Sequence, residues 1–376
     1  MEEVSELGFL DYFSGIDDPR IDRKKLYSVE ELLLVTLCGV ICGCEGWEDL
    51  EEFGETKLDF FRNYLSFEHG APSDDTYRRF FRAIDPEQFK KCFIDWVNAF
   101  QDLNRDIVAI DGKTLRHSYD TAKEKPAIHM VSAFASKARI VLGQEKVAAK
   151  SNEITAIPKL IKMLDLRGAT VTIDAMGCQK AIVKNIIDKE ANYVLGLKGN
   201  QGQLKDDVEL FFQYHKKSNF KKLKHDYCLM VDKDHGRFEK RACWITEDIS
   251  WLENKEKWDG LRSIAMIEST REMGDIISVE TRYYIASIEA NAVRVANTIR
   301  KHWGVENSLH WILDVTFRED DSRIRDGNAP ENLAIVRHIA LNMLQQHRGK
   351  KTSVKKLRKM SGWNDSNLKM VLETKF

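Results

Sequence analysis

The sequence predicts an α/β protein in which a mixed sheet with flanking helices is preceded by a helical N-terminal region and interrupted by a β-rich insertion. Three observations carry this. Apolar residues recur every three or four positions up to about residue 100, the period of amphipathic helices. From residue 106 short β-branched runs take over, beginning with DIVAIDGKTLR. Between residues 201 and 287 strand-like stretches follow one another, and helices resume only at ANAVRVANTIRK.

Taken in order, SVEELLLVTLCGVICG opens with Ser28 as N-cap and Glu31 three residues later, a capping-box pattern. GWEDLEEFGETKLDFFRNYL, SDDTYRRFFRAI and DPEQFKKCFIDWVNAF add the other helices of a small N-terminal domain. AIHMVSAFASKARIVLGQEKV reads as two strands around a turn near Lys137. SNEITAIPKLIKMLDLRG reads as a helix capped by Ser151 or Asn152 and ended by Gly168. ATVTIDAMG is a strand, CQKAIVKNIIDKEA a helix and NYVLGLKGN a strand. Three antiparallel strands, then helix, strand, helix, strand, is also the order of a ribonuclease-H-like core. In the insertion, CLMVDKDHGRFEKRACWIT, LRSIAMIESTRE and DIISVETRYYIASI are strand-like, with DHG and MGD as turn signals. The last long helix, PENLAIVRHIALNMLQQH, places Pro330 in its favoured first turn. The expected divisions are a helical domain at 1–104, the first part of the core at 105–200, the insertion at 201–287, a helical completion of the core at 288–347 and a basic tail at 348–376.

With 376 residues, 43% of them apolar and 31% charged, the chain has the balance of a globular protein with ample core. LLLVTLCGVICGC at 32–44 is shorter than the roughly 20 residues that span a bilayer. The acidic start lacks a secretory signal, so a cytoplasmic location without a membrane partner is expected. Seven scattered cysteines offer no CxxC pair, which argues against zinc or disulfide frameworks and for small buried hydrophobes. The net charge of −1 does not discriminate, but basic residues cluster in RGKKTSVKKLRKM at 348–360, in KKSNFKKLK at 216–224, and as Arg78, Arg79, Arg82, Lys90 and Lys91 on a predicted helix. Any one run reads equally as a solvated face; three together favour a polyanion.

Asp111 closes the apolar run VAID and Asp174 closes VTID. A carboxylate at the end of a buried strand is costly unless it is paired, hydrogen-bonded or bound to a cation. Each alone also reads as a turn residue, Asp-Gly at 111–112 above all. HWGVENSLHWILDVTFREDDSRIR carries His302, Glu306, His310 and Asp314 at four-residue spacing, neighbouring turns of one helical face. Such a stripe is a solvated surface, a zinc site or a wall of an acidic pocket. Zinc is disfavoured, because the histidines are eight apart and HExxH is absent. Two strand aspartates and Glu306 can converge on a pair of divalent cations, and hard oxygen donors suit Mg²⁺ or Mn²⁺. Two ions about 4 Å apart support in-line phosphoryl transfer. GNQG at 199–202 lacks the P-loop spacing, and His117, Ser118 and Asp120 are too close in sequence for a hydrolase triad. Trp303 and Trp311 read as core packing before base stacking, and His310 as a core histidine.

GCEGWEDLEEFGE at 43–55, AIDGKTLRHSYD at 109–120, KSNEITAIP at 150–158, TIDAMGCQK at 172–180, NYVLGLKGNQG at 192–202, HGRFEKR at 235–241, RYYIAS at 282–287 and HWGVENSLHWILDVTFRED at 302–320 together resemble one family over nearly the whole chain. It is the DDE-class bacterial insertion-sequence transposases, in particular the H-repeat-associated proteins of Rhs elements. The resemblance implies a ribonuclease-H-like core and a triad of Asp111, Asp174 and Glu306 binding Mg²⁺ or Mn²⁺, two ions being expected. It also implies cleavage and strand transfer at element ends by a homodimer on double-stranded DNA, with terminal inverted repeats and target DNA as partners. The candidate DNA contacts are Lys113, Arg116, Lys198, Arg237, Arg241, Arg300 and His302. Where related enzymes place Tyr, Arg and Lys around the glutamate, this chain has Ile299, His302 and Leu313. Arg300, Lys301 and His302 are the candidate substitutes, and Asp314, Glu319 and Asp320 the reserve ligands. Two other readings stay open: a retired transposase kept as a DNA-binding protein, and a general ribonuclease-H-like nuclease indifferent to terminal repeats.

Overall fold

The computed structural model describes residues 8–21, 25–99, 106–119, 126–148, 151–234, 237–273, 276–349 and 351–374. Its N-terminal part is helical: α1 (Gly8–Asp11), α2 (Val29–Cys42), α3 (Trp47–Thr56), α4 (Leu58–Phe61), α5 (Asp74–Ala83) and α6 (Pro86–Asn98). The capping box forms, with Ser28 Oγ accepting from the Glu31 N–H and the Glu31 carboxylate accepting from the Ser28 N–H. Gly43, at φ 119°, turns the chain out of α2, a conformation that costs glycine little.

The core follows as β1 (Ile107–Leu115), β2 (Ile128–Ala135), β3 (Ile140–Lys146), α7 (Glu153–Met163), β4 (Thr170–Ile173), α8 (Lys180–Asp188) and β5 (Asn192–Leu197). After α9 (Gly202–Lys217) come β6 (Asp226–Asp234), β7 (Arg237–Thr246), β8 (Ser263–Met273) and β9 (Ile276–Ala286). The DHG and MGD turns lie largely outside the described residues. All nine strands form one sheet in the order β3-β2-β1-β4-β5-β9-β8-β7-β6. β1, β4 and β5 run parallel, with β2 and β3 antiparallel beyond β1. This is the mixed-sheet, ribonuclease-H-like arrangement that the sequence predicts. The insertion extends that sheet: β9 pairs antiparallel with β5, so its strands share the core's hydrogen-bond ladder.

Asp111 does not close its strand. β1 continues to Leu115 against β2, so Asp-Gly at 111–112 is extended backbone, not a turn. What ends beside Asp111 is the parallel pairing with β4, whose last pair is Ile110 with Ile173.

The chain closes with α10 (Ala292–Val305), a π-helical turn at Glu306–His310, α11 (Trp311–Val315), α12 (Ala329–His347), α13 (Val354–Trp363) and α14 (Asp365–Leu372). α12 is buried from Ala329 to Gln345, between the N-terminal helices and β3. Its Asn342 side chain donates to the Val141 carbonyl and accepts from the Val141 N–H, so it satisfies the edge of β3. Asn332 donates to the Phe81 and Ile84 carbonyls at the end of α5. The N-terminal helices and the sheet thus share one continuous hydrophobic core.

Two basic clusters are largely spent internally. Arg78 and Arg79 pair with Asp74 and Asp75 one turn earlier, Lys91 with Asp95, and buried Lys90 with Glu87 and Glu145. The run at 348–360 is no free tail but mostly α13, packed on α2, and its Arg358 donates to the Val40 and Ile41 carbonyls that end α2. Lys351, Lys355 and Lys359 remain on the surface.

Candidate active site

The parallel register of β1 and β4 brings Asp111 and Asp174 to the same level, each one step beyond the last paired residue. Asp174 caps a short turn, its Oδ1 accepting from the N–H groups of Met176 and Gly177. Asp111 Oδ1 accepts from the Gly112 N–H, and its Oδ2 lies 3.7 Å from His310 Nδ1. Glu306 reaches the same place from the end of α10. All three carboxylates line a cleft of about 710 Å³ with Lys198, Arg282, His302 and Trp303.

The four-spaced stripe faces the sheet. His302 is buried and shares a hydrogen bond with Thr172 on β4 at 3.1 Å; Glu306 opens into the cleft; His310 faces Asp111; Asp314 lies 2.6 Å from Lys113 Nζ. The π-helical turn begins at Glu306 itself, a break in α-helical regularity that recurs at functional sites.

Electrostatics single out Asp111. Burial pushes its carboxyl up to about 6, and the like charges of Glu153, Asp174 and Glu306 act in the same direction against the bond from Gly112. Burial lowers His302 to about 4, with Asp174 opposing, and lowers His310 to about 4 with help from Lys113. Both imidazoles are therefore neutral near pH 7.

Surplus negative charge and hard oxygen donors fit divalent cations in chemistry. In distance the fit is incomplete: among the described residues no three Asp, Glu, His or Cys side chains stand close enough to hold one ion as placed. One oxygen each of Asp111 and Asp174 is turned onto backbone N–H groups.

The candidate DNA contacts separate. Lys198 lies on the cleft and is exposed. Arg116 is exposed and pairs with Asp320 at 3.2 Å. Lys113 is not available: it is buried among Asp314, Glu319 and Asp320, and these acids hold its ammonium charged against the cost of burial. His302, buried and neutral, is no phosphate contact. Arg300 and Arg241 both turn to Asp232, at 2.5 and 3.4 Å, and Arg241 also pairs with buried Glu239. The side chains of Arg237 and Asp120 lie outside the described residues. Glu319, one reserve ligand, is buried against Lys113 and away from the cleft.

Trp303 and Trp311 are not core residues but 44% and 55% exposed, and the Arg282 guanidinium sits 4.9 Å from the Trp303 ring centre. Glu153, which bonds His129 at 2.7 Å, was not singled out in the sequence, although KSNEITAIP contains it. Gly112 makes its approach possible: a Cβ there would stand 2.2 Å from Glu153 Oε1.

Comparison with known proteins shows the family. The family model described as "Transposase DDE domain" matches residues 102–343, and one described as "DDE_Tnp_1-associated" matches residues 10–97. The chain is 40% identical to the "H repeat-associated putative transposase YhhI" of Escherichia coli (strain K12), over 96% of this chain and 97% of that protein. It is 42% identical to the "Putative transposase YncI" of Escherichia coli O157:H7, over 98% and 95% respectively.

Proposed function

Since the chain belongs to the transposase DDE domain family, we propose that it cleaves DNA at the ends of an insertion element and transfers the freed strand to a target. The observation that carries this reading is the meeting of Asp111, Asp174 and Glu306 at one cleft, with the Asp111 pKa driven up by burial and like charge. In this reading Asp111, Asp174 and Glu306 would hold Mg²⁺ or Mn²⁺, two ions being expected. When bound, such ions activate the attacking oxygen and stabilise the leaving one.

The chain's own residues supply the rest. Asp111, raised to about 6, is already ionised near pH 7.5 and so ready to act as a ligand. His302, fixed to Thr172, ties the helix of Glu306 to the strand of Asp174. Lys198, exposed on the cleft, offers positive charge to the phosphate backbone, whereas Arg282 there is paired with Glu280. Trp303 offers an exposed ring against which a nucleobase can stack. A homodimer on double-stranded DNA follows from the need to join two ends.

The test is nicking of a labelled element end with Mg²⁺ or Mn²⁺, comparing wild type with Asp111→Ala, Asp174→Ala and Glu306→Ala. Cleavage that all three substitutions abolish while DNA binding persists supports the triad. Wild-type binding without cleavage points instead to a retired DNA-binding protein, and cutting indifferent to the terminal repeats points to a general nuclease.

A further inference from the structure

A second cavity, of about 540 Å³, lies between the N-terminal helices, the segment after α11 and α12, and shares no lining residue with the carboxylate cleft. Six arginines line it against three acids, Glu45, Asp321 and Asp326. Four of the arginines are engaged elsewhere. Arg358 is given to backbone carbonyls and the Phe317 ring, Arg78 to Asp74 and Asp75, Arg318 to Glu45 and Asp321, and Arg325 to the His117 carbonyl and the Tyr119 ring.

Arg337 and Arg323 are different. Arg337, on α12, is 7% exposed and makes no hydrogen bond among the described residues. Its nearest carboxylate oxygen, Glu319 Oε1, is 3.8 Å away, and Glu319 is already bonded to Lys113 through its other oxygen. Its guanidinium donors, unmet by protein among the described residues, are left to whatever the cavity holds, water or a ligand that accepts from them. Arg323 is exposed at the same cavity and has neither a hydrogen bond nor an ion pair among the described residues. Trp47, held by stacking on Phe81 with rings 20° apart, adds an aromatic wall.

We propose that this cavity binds the phosphate group of a nucleotide, received by Arg337 and Arg323, with the attached nucleoside lying toward Trp47. Guanidinium forks match phosphate oxygens two at a time, and the volume is far more than a bare anion needs. The nucleotide belongs either to a DNA strand or to a free pool. The first source rests on the transposase reading, whereas phosphate binding itself does not.

The test uses the full chain, purified without phosphate, in equilibrium dialysis against orthophosphate and labelled dAMP, with Arg337→Met, Arg323→Ala and, as a control at a distant surface pair, Arg262→Ala. Saturable binding of both probes is expected, weakened roughly tenfold or more by Arg337→Met and several-fold by Arg323→Ala. Arg262→Ala and Asp111→Asn leave it unchanged. Should Arg337→Met fail to fold, Arg323→Ala at the exposed position carries the comparison. A 5′-phosphorylated oligonucleotide that displaces dAMP at lower concentration than dAMP itself assigns the site to a DNA strand; weaker displacement assigns it to a free nucleotide. Orthophosphate binding without dAMP binding overturns the nucleotide assignment. Absence of saturation up to about 10 mM, or binding indifferent to both arginine substitutions, overturns the site altogether. None of these outcomes depends on cleavage at the carboxylate cleft.

Discussion

Lys113 Nζ lies 2.9 Å from Glu319 Oε2, a bond between residues 206 positions apart in the chain. It ties the strand of Asp111 to the segment that follows the helix of Glu306, with Asp314 at 2.6 Å and Asp320 at 3.1 Å completing the cluster. One buried ammonium thus joins the His302–Thr172 bond in fixing the relative placement of two candidate ligands.

Removing that ammonium leaves the buried Glu319 carboxylate with Arg337, 3.8 Å away, as its remaining counter-charge among the described residues. Lys113→Met is expected to cost about 3–5 kcal/mol in denaturant unfolding. Adding Glu319→Gln to it recovers part of the loss, because that buried charge is gone. A cost below about 1 kcal/mol for the single variant would show that the cluster does not hold the two segments together.

Asp111→Asn is expected to make the metal-free protein more stable while abolishing nicking. With its carboxyl raised to about 6, Asp111 is ionised at pH 7.5 at a cost of roughly 2–3 kcal/mol relative to the unfolded chain. The neutral isostere removes that cost. Thermal unfolding in chelator at pH 7.5 reads it, and a lowered midpoint in the variant contradicts the electrostatic picture.

Acid sensitivity follows from the buried histidines. His302, His310 and His338 are each lowered to about 4, chiefly by burial. Between pH 6.5 and about 4 the unfolded chain therefore binds protons that the native state refuses, and stability falls as pH falls through that window. Asp111 works the other way: from about 6 down to 3.8 its native carboxyl holds a proton that the unfolded one has shed, so its share of stability grows on acidification. Asp314, also raised by burial, sides with Asp111, and the three histidines outweigh the two to leave net acid destabilisation. The unfolding midpoint measured from pH 7 to 4.5 should drop, and His338→Leu should flatten the slope; an unchanged slope rejects His338 as a contributor.

Trp303→Ala is expected to leave stability within about 1 kcal/mol, since the ring is 44% exposed and loses chiefly its contact with Arg282. Nicking of an element end should fall at least tenfold, a loss in line with one base–aromatic stack. Nicking within twofold of wild type removes Trp303 from the site.

Much of the fold was legible because it rests on local chemistry. The Ser28 capping box, the turn near Lys137, the helix start at Asn152 (which holds the N-cap position without a side-chain bond) and Pro330 in a first turn are each decided by neighbours within a few residues. Asp111 and Asp174 were legible because a carboxylate after an apolar run is costly anywhere, although β1 runs on past Asp111 to Leu115. What the local pattern misassigned were contacts made across the fold. Lys113 and His302 read as phosphate contacts, yet one is consumed by acids some two hundred positions away and the other is buried against Thr172. Trp303 and Trp311 read as core at helical spacing, yet both face outward.

By itself, the sequence determined the order of helices and strands and the carboxylates worth following, because backbone propensity and desolvation act residue by residue. Tertiary structure alone decided which charges are spent and which are free. It extended one sheet through the insertion from β5 to β9, and it left Arg337 buried beside a cavity with no hydrogen bond among the described residues. The reason is physical: whether a charge is neutralised depends on what lies within about 4 Å, and chain distance does not report that.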